Sequence, residues 1–272
     1  MKYYQSVFCA AALLFVACNN NTTEKEMAKT PMIKEESVSY GTDSAKLTGF
    51  IAYDSASTAK RPVVLIVHEW WGLNDYVKGR AKQLADLGYL AMAVDMYGDG
   101  KMGNTPDEAG KLAMPFYTNA ALTKSRFDAA LAKIKTYSQA DTGKIAAIGY
   151  CFGGAMVLNV ARLGENLNGV VSFHGGLVGT PADKNLLKAK VLVCHGADDQ
   201  FVKPEEVAAF KKQMDSIGAD YTFKQYAGAT HAFSNPAATE MGQKFKIPIA
   251  YNAAADTASF NEMKMFFDKI FK

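Results

Sequence analysis

A regular alternation of short apolar runs with amphipathic segments constrains this fold more than any other feature of the sequence. Six apolar runs have the character of β-strands, and they lie at 63–67, 89–94, 145–149, 170–173, 191–194 and 221–226. Segments with helical spacing separate or follow them, at 76–87, 120–137, 155–162, 204–217 and 257–271. Because most of the runs are apolar on both faces, they suit parallel strands covered by helices on either side. The sequence therefore predicts an α/β fold with a doubly wound, mostly parallel sheet, whose ligands bind at the carboxyl ends of the strands.

Two further strand-like segments, 37–40 and 47–53, flank a turn at 41–44 and predict an antiparallel hairpin at the edge of this sheet. The composition fits a packed globular domain, since 49% of the 272 residues are hydrophobic and 21% are charged. The 30 basic and 27 acidic residues are dispersed along the chain, which argues against a nucleic-acid partner. Four cysteines are too few for a disulfide framework in a chain of this length.

The first 36 residues predict export and tethering rather than part of the fold. Lys2 precedes an apolar run at 7–17, which is too short for a membrane span of about 20 residues but suits a secretory signal. Residues 14–18 resemble a bacterial lipobox, in which Cys18 carries the lipid; the alternative is simple signal cleavage near Ala17, with Cys18 incidental. We expect a signal peptide at 1–17, a lipid-anchored polar tether at 18–36 and a single domain at 37–272. The expected location is the bacterial periplasm or cell envelope.

A nucleophile turn follows the apolar strand at 144–148. Gly149, Cys151 and Gly153 form a G-x-C-x-G pattern directly before a helical segment. Such a sharp turn needs glycines on both sides of the nucleophile, and the amides of the following helix favour a thiolate and an oxyanion. The alternative is a buried structural cysteine beside a tight turn.

The acid and the base of a triad are expected later in the chain, in that order. His231 lies in a small-residue loop after the last strand, where the base belongs, although a loop histidine is often only solvated. The loop after 191–194 offers Asp198 and Asp199. Asp199 fits a G-x-x-D-x-x-V pattern with Gly196 and Val202, so we favour it as the acid. Asp198 is then interpreted as a turn former.

With these residues in order, the chain resembles the dienelactone hydrolase family, a cysteine-nucleophile branch of the α/β-hydrolase fold, over about 37–272. The most specific marker besides Cys151 is the segment His-Glu-Trp-Trp-Gly-Leu-Asn at 68–74. The resemblance implies that Glu69 hydrogen-bonds the resting thiol and moves away when substrate binds. It also implies that the backbone amides of Trp70 and Phe152 bind the oxyanion. The alternative for Glu69 is a surface carboxylate paired with a lysine.

The predicted function is hydrolysis of carboxylic esters or lactones through a Cys151–His231–Asp199 triad and a covalent thioester. No cofactor is implied, the partner is a small-molecule ester or lactone, and membrane contact is expected only through the N-terminal lipid. The oligomeric state stays open.

Two alternatives use the same residues differently. A catalytically silent lipoprotein would use the cleft to hold a ligand, and a thiol redox protein would pair Cys151 with Cys194. Metal binding by His68, His174 and His195 at the strand ends is conceivable, but the ligand spacing of a metal site is absent.

The sequence departs from the family at two substrate-binding positions. Members that cleave dienelactone bind its carboxylate through two arginines, and the matching positions here hold Asp99 and Asn235. An aspartate there would repel a carboxylate. We therefore expect poor activity on dienelactone and a preference for neutral or cationic esters, unless Lys101 or Arg126 replaces the missing charge.

Overall fold

The computed structural model describes residues 1–3, 30–42 and 45–272 of the chain. It divides into two units, Met1–Thr30 and Pro31–Lys272, and the second contains every strand and helix named below. Within the described ranges, no helix has the length and apolar character needed to span a membrane. The predicted signal peptide beyond residue 3, the lipidation site at Cys18 and the tether up to residue 29 lie outside the described residues, as does the centre of the hairpin turn.

Eight strands form one mixed sheet in the order β1-β2-β4-β3-β5-β6-β7-β8. Their bounds are β1 Ile33–Thr42, β2 Ala45–Asp54, β3 Arg61–Val67, β4 Leu90–Val94, β5 Ala140–Tyr150, β6 Gly169–Phe173, β7 Lys190–Gly196 and β8 Tyr221–Tyr226. The β1–β2 hairpin is antiparallel and joins β4 antiparallel, whereas all other neighbours are parallel. The predicted mostly parallel sheet with an antiparallel edge hairpin is therefore confirmed.

The first strand begins earlier than the sequence indicated. Ile33 already pairs with Asp54, so residues 33–36 belong to the sheet and not to the tether, and the predicted boundary at residue 37 is wrong. The cause is the exposed position of this strand at the sheet edge, where charged side chains such as Lys34, Glu35 and Glu36 are favoured. These charges hide the apolar alternation that identifies an inner strand.

Seven helices lie in the described chain and cover both faces of the sheet. Their bounds are α1 Asp75–Asp86, α2 Pro106–Thr118, α3 Ala120–Lys135, α4 Phe152–Arg162, α5 Pro204–Ser216, α6 Ala238–Phe245 and α7 Ala253–Ile270. Along β3, Val64 and Ile66 pack in one core with α1 and α7, and the alternate residues pack in the other core with α3, α4 and α5. Burial on both faces explains why the inner strands are continuously apolar.

The sequence analysis missed α2 and α6. The start of α2 nevertheless carries a clear signal, because the Thr105 side chain accepts a hydrogen bond from the Glu108 amide at 3.3 Å and Pro106 occupies the first turn. Pro115 inside α2 interrupts the helical pattern. The eight-residue α6 is too short to show a periodicity, and it ends at Lys246 with a left-handed φ of 54°.

The sheet places the candidate chemistry at one edge. Glu69 follows β3, Cys151 follows β5, His174 follows β6, Asp199 follows β7 and His231 follows β8. These strands are parallel, so their carboxyl ends meet at the same edge and bring residues from across the chain together.

Candidate active site

The turn at Cys151 has the geometry that the sequence predicted. Cys151 lies between β5 and α4 with φ 52° and ψ −114°, a conformation that L-residues rarely adopt. A Cβ at Gly149 would overlap the carbonyl of Gly153, and a Cβ at Gly153 would overlap the carbonyl of Val67. Only glycine therefore permits this close approach of β5, α4 and β3. The half-buried thiol of Cys151 opens into a cavity.

Asp199, and not Asp198, contacts the histidine. The His231 Nδ1 and Asp199 Oδ2 atoms are 2.8 Å apart, and the other oxygen of Asp199 accepts the amide of Phe201 at 2.8 Å. Burial opposes the charge, but the hydrogen bonds from His231 and from the Phe201 amide hold the pKa of Asp199 below its ordinary value. Asp198 is exposed to solvent.

Cys151 and Asp199 both interact with the imidazole of His231. Burial disfavours the charged form of the ring, but the electrostatic and hydrogen-bond interactions with Cys151 and Asp199 outweigh it and raise the pKa of His231 to about 10. The ring is buried, and His231 lines the same cavity as Cys151. The arrangement is suited to storing a proton on His231 when the thiol gives it up.

Two backbone amides near Cys151, one in the cavity lining at Trp70 and one directly after the cysteine at Phe152, have no hydrogen-bond acceptor among the residues that the structure describes. Phe152 is the first residue of α4, so its N–H has no acceptor within the helix. The Trp70 N–H, which follows β3, has no acceptor among the described residues. Such amides are the groups that stabilise an oxyanion in acyl transfer.

Glu69 is buried beside the cavity and is held by an amide. Its Oε2 accepts a hydrogen bond from Asn235 Nδ2 at 2.6 Å, and its side chain is not paired with a lysine, so the surface-carboxylate alternative is wrong. Among the described residues it makes no hydrogen bond to the Cys151 thiol, which differs from the contact that the resemblance implied. Burial raises the pKa of Glu69 to about 7 in spite of the Asn235 bond.

A cavity of about 340 Å³ lies in front of these groups. One side is polar and consists of Glu69, Cys151 and His231, which we term the polar wall. A second part of the lining comes from one face of α2 at helical spacing, which we term the helical wall: Gly110, Ala113, Met114 and Tyr117. The remaining lining is mainly apolar: Trp70, Trp71, Gly176, Phe201, Val202, Ala232 and Ile249.

No lysine or arginine of the described chain lines this cavity. Asp99 does not line it either, so the expected repulsion between Asp99 and a bound carboxylate is wrong. Asp99 takes a left-handed φ of 54°, donates its amide to the Lys46 carbonyl and extends into solvent, where it pairs with Lys101 at 3.6 Å. Arg126 is buried and donates to Thr42 at 2.9 Å, so neither Lys101 nor Arg126 supplies the cavity with a charge.

Cys194 lies too far from Cys151 for a disulfide. It is buried in β7, and β6 separates it from β5, where the nucleophile turn begins. Two strand spacings amount to about 10 Å, beyond the reach of a disulfide. Burial also raises the pKa of Cys194 to about 12, which makes it an unreactive thiol.

Two of the other histidines at the strand ends, His68 and His174, have separate hydrogen-bond partners. His68 Nδ1 lies 2.5 Å from the Glu69 carbonyl, and His174 contacts Ser234. The described residues contain no group of three histidine, cysteine or acidic side chains that fits a metal ion. The sequence analysis did not find the link between His174 and Ser234, since no motif connects residues 60 positions apart.

The fold and this turn are those of an α/β-hydrolase. The sequence model of the dienelactone hydrolase family matches residues 47–271, and the chain belongs to that family. A protein of Aquifex aeolicus provisionally named carboxymethylenebutenolidase is 30% identical over 203 residues, which cover 73% of this chain and 86% of that protein. The family is one of carboxylic ester hydrolases, and this chain is an enzyme of that class.

One solved structure agrees with the family assignment, and a more distant one agrees with the fold alone. A dienelactone hydrolase-like promiscuous phosphotriesterase from metagenomic libraries is similar with a TM-score of 0.82 and 34% identity, over 88% of this chain and 98% of that chain. An esterase of Thermogutta terrifontis shares the fold with a TM-score of 0.63 at 17% identity, over 87% of this chain and 94% of that chain.

Proposed function

We propose that the chain hydrolyses carboxylic esters or lactones by covalent catalysis at Cys151, with His231 as the base and Asp199 as its positioning partner. The observation that carries the proposal is the 2.8 Å contact between His231 and Asp199, made beside a cavity that His231 shares with Cys151. A carboxylate on Nδ1 fixes the tautomer in which Nε2 faces the thiol.

The reaction divides into two transfers. The Cys151 sulfur attacks the acyl carbon, its proton goes to His231, and the carbonyl oxygen takes negative charge that the Trp70 and Phe152 amides stabilise. Collapse of this intermediate forms a thioester and expels the alcohol, which takes the proton from His231. Water then loses a proton to His231 and attacks the thioester, which releases the acid and restores the thiol.

The test compares the wild type, Cys151→Ala and His231→Ala on a short p-nitrophenyl ester. We expect a loss of about 1,000-fold or more for each variant. Mass spectrometry of the wild type quenched during turnover of a slow ester is expected to show the acyl group on Cys151. Equal rates in all three proteins would refute the triad and would favour a role in ligand binding alone.

We propose further that Glu69 restrains the thiol before substrate binds, as the resemblance implies. Two observations support this role: Glu69 lines the cavity with Cys151, and burial brings its pKa to about 7, so it is protonated in part at neutral pH. A neutral carboxyl can donate a hydrogen bond, whereas a carboxylate only accepts.

The proposed substrates are uncharged esters with an apolar acyl or alcohol group. The cavity is mostly apolar and no lysine or arginine of the described residues lines it, so a carboxylate entering it would lose much of its hydration without gaining a lysine or arginine partner. We expect kcat/KM on an uncharged ester to exceed kcat/KM on a dienelactone, when the two substrates are similar in size. A clear preference for dienelactone would contradict this choice of substrate while leaving the triad intact.

A second candidate activity is cleavage of neutral phosphotriesters. The similar phosphotriesterase at 34% identity suggests it, and a cavity free of lysine and arginine suits an uncharged triester. Release of p-nitrophenol from an aryl phosphotriester by the wild type, with Cys151→Ala as the control, tests the activity. An equal rate in both proteins would exclude Cys151 as the nucleophile.

We also propose that the chain is exported and anchored by lipid on Cys18. The support is the sequence at 14–18 and the apolar run before it. Mass spectrometry of protein extracted from bacterial membranes is expected to show residues 1–17 removed and Cys18 acylated. Recovery of a soluble protein that still begins with Met1 would contradict the anchor.

A further inference from the structure

His174 occupies an unusual backbone position beside the nucleophile. It follows β6, is fully buried, and has a left-handed φ of 41°. A non-glycine residue in this region indicates that its surroundings hold it there. In this position the imidazole contacts both Cys151 and His231.

Both ring nitrogens of His174 have defined partners. Nδ1 accepts a hydrogen bond at 3.1 Å from the Cys151 backbone N–H, which also donates to the Phe173 carbonyl at 3.0 Å. Since Nδ1 is the acceptor, the ring proton lies on Nε2, which donates to the Ser234 hydroxyl at 2.7 Å. Burial, and then the nearby charge of His231, hold the pKa of His174 well below its ordinary value, so this neutral tautomer persists.

The second partner belongs to the loop that carries the base. Ser234 lies three residues after His231, and the Tyr76 hydroxyl and the Arg80 guanidinium fix it from α1, at 2.8 Å and 2.7 Å respectively. The ring of His174 also packs edge-on against the ring of His231, with centroids 5.4 Å apart. One side chain therefore contacts the backbone of the nucleophile, the loop of the base and the base itself.

We propose that His174 is a positioning residue that sets the separation and orientation of Cys151 and His231. It connects two segments that lie 80 positions apart in the sequence and that the reaction requires to be in contact. It does not act as a base, since both of its nitrogens are occupied by these hydrogen bonds. This inference rests on the proposed thiol mechanism, because it gives His174 no role outside that pair.

Three variants separate positioning from simple packing. His174→Asn keeps an acceptor near Nδ1 and tolerates the left-handed backbone, but it cannot reach Ser234. His174→Ala removes both links, and Ser234→Ala removes the link to the base loop, together with the Ser234–Tyr76 contact, while leaving the histidine in place. Should the His174 variants fail to fold, Ser234→Ala still tests the link.

We expect His174→Ala to lower kcat by about 100-fold, as a misplacement of about 1 Å does, with KM on an uncharged p-nitrophenyl ester changed less than about threefold. His174→Asn should restore part of the loss, and Ser234→Ala should lower kcat with KM again unchanged. The effects of His174→Asn and Ser234→Ala should not add in the double variant, because both break the same link. The alkylation rate of Cys151 by iodoacetamide at fixed pH should fall in the same order.

Wild-type kcat in folded Ser234→Ala, or additive losses in the double variant, would overturn the inference. Losses that appear in KM and melting temperature rather than in kcat would also overturn it, since they indicate packing alone. If Cys151→Ala stays active, the thiol mechanism fails instead. If Cys151→Ala is inactive and the His174 and Ser234 variants are fully active, only the role of His174 fails.

Discussion

The polar wall and the helical wall of the cavity are built in different ways. Each residue of the polar wall follows a strand of the sheet and is buried or half-buried among hydrogen bonds. The helical wall comes from α2 alone, and its side chains at Met114 and Tyr117 are 58% and 47% exposed. Hydrogen bonds and burial hold the reacting groups of the polar wall in the positions that the reaction requires. The helical wall supplies only apolar surface. Changes in the polar wall should therefore abolish turnover, and changes in the helical wall should alter which ester is turned over.

The largest effect on activity is expected at Asp199, which contacts His231 of the polar wall but does not itself line the cavity. Asp199→Asn presents an amide donor to His231 Nδ1 and so favours the wrong tautomer, which should lower kcat by about 1,000-fold or more. Asp198→Asn is the matched control, because this neighbour is exposed and makes no contact with His231. The measurement is kcat/KM on an uncharged p-nitrophenyl ester. A larger loss in Asp198→Asn would show that the acid is misassigned.

The sequence predicted where Cys151, Asp199 and His231 lie because local patterns mark these three residues, whereas Glu69 was indicated by the family resemblance. Gly149 and Gly153 mark the turn at Cys151, and Asp199 and His231 follow strands that apolar runs identify. Their meeting point then follows from the common direction of the strands.

The contacts between distant segments could not be predicted in this way. Asn235 and Glu69 are 166 residues apart, and nothing in either segment indicates their hydrogen bond. Asp99 matches a substrate-binding position in sequence, but the left-handed backbone at this residue directs it to solvent. The helical wall was missed because Pro115 and Gly110 weaken the helical pattern of α2.

A smaller effect is expected on the free energy of unfolding, which should depend on pH through the ionisation of Glu69. Burial raises its pKa in the folded chain to about 7, above the unfolded value of 4.5. The folded state therefore binds the proton more tightly than the unfolded state does, and its stability falls as pH rises from 4.5 through 7. A shift of this size corresponds to a loss of about 3 kcal/mol.

Glu69→Gln should remove this pH dependence. The glutamine keeps an acceptor for Asn235, so the variant should match the wild type in urea unfolding at pH 4.5 and exceed it at pH 8 by up to about 3 kcal/mol. Glu205→Gln, at an exposed glutamate of α5, serves as the control and should follow the wild-type curve. Parallel curves for Glu69→Gln and the wild type would mean that Glu69 titrates in the folded chain as it does in water.

The smallest effect is expected in the helical wall at Met114. Its side chain lines the cavity but is more than half exposed, so an acyl chain can bury only part of it. Removal of that contact in Met114→Ala should cost about 1 kcal/mol, or about fivefold in kcat/KM, on a p-nitrophenyl octanoate. The acetyl group of p-nitrophenyl acetate has only one methyl group to bury, so we expect its hydrolysis to be nearly unchanged.

The control for this change is Met265→Ala on α7. Met265 is 49% exposed and lies outside the cavity, and both variants replace a helical methionine by alanine, so their effects on helix propensity cancel in the comparison. The decisive quantity is the ratio of kcat/KM for octanoate to that for acetate. A fall of this ratio in Met114→Ala alone assigns chain-length selection to α2. An equal loss on both esters would instead mean that α2 helps to hold the groups at Cys151, and the separation between the two walls would not stand.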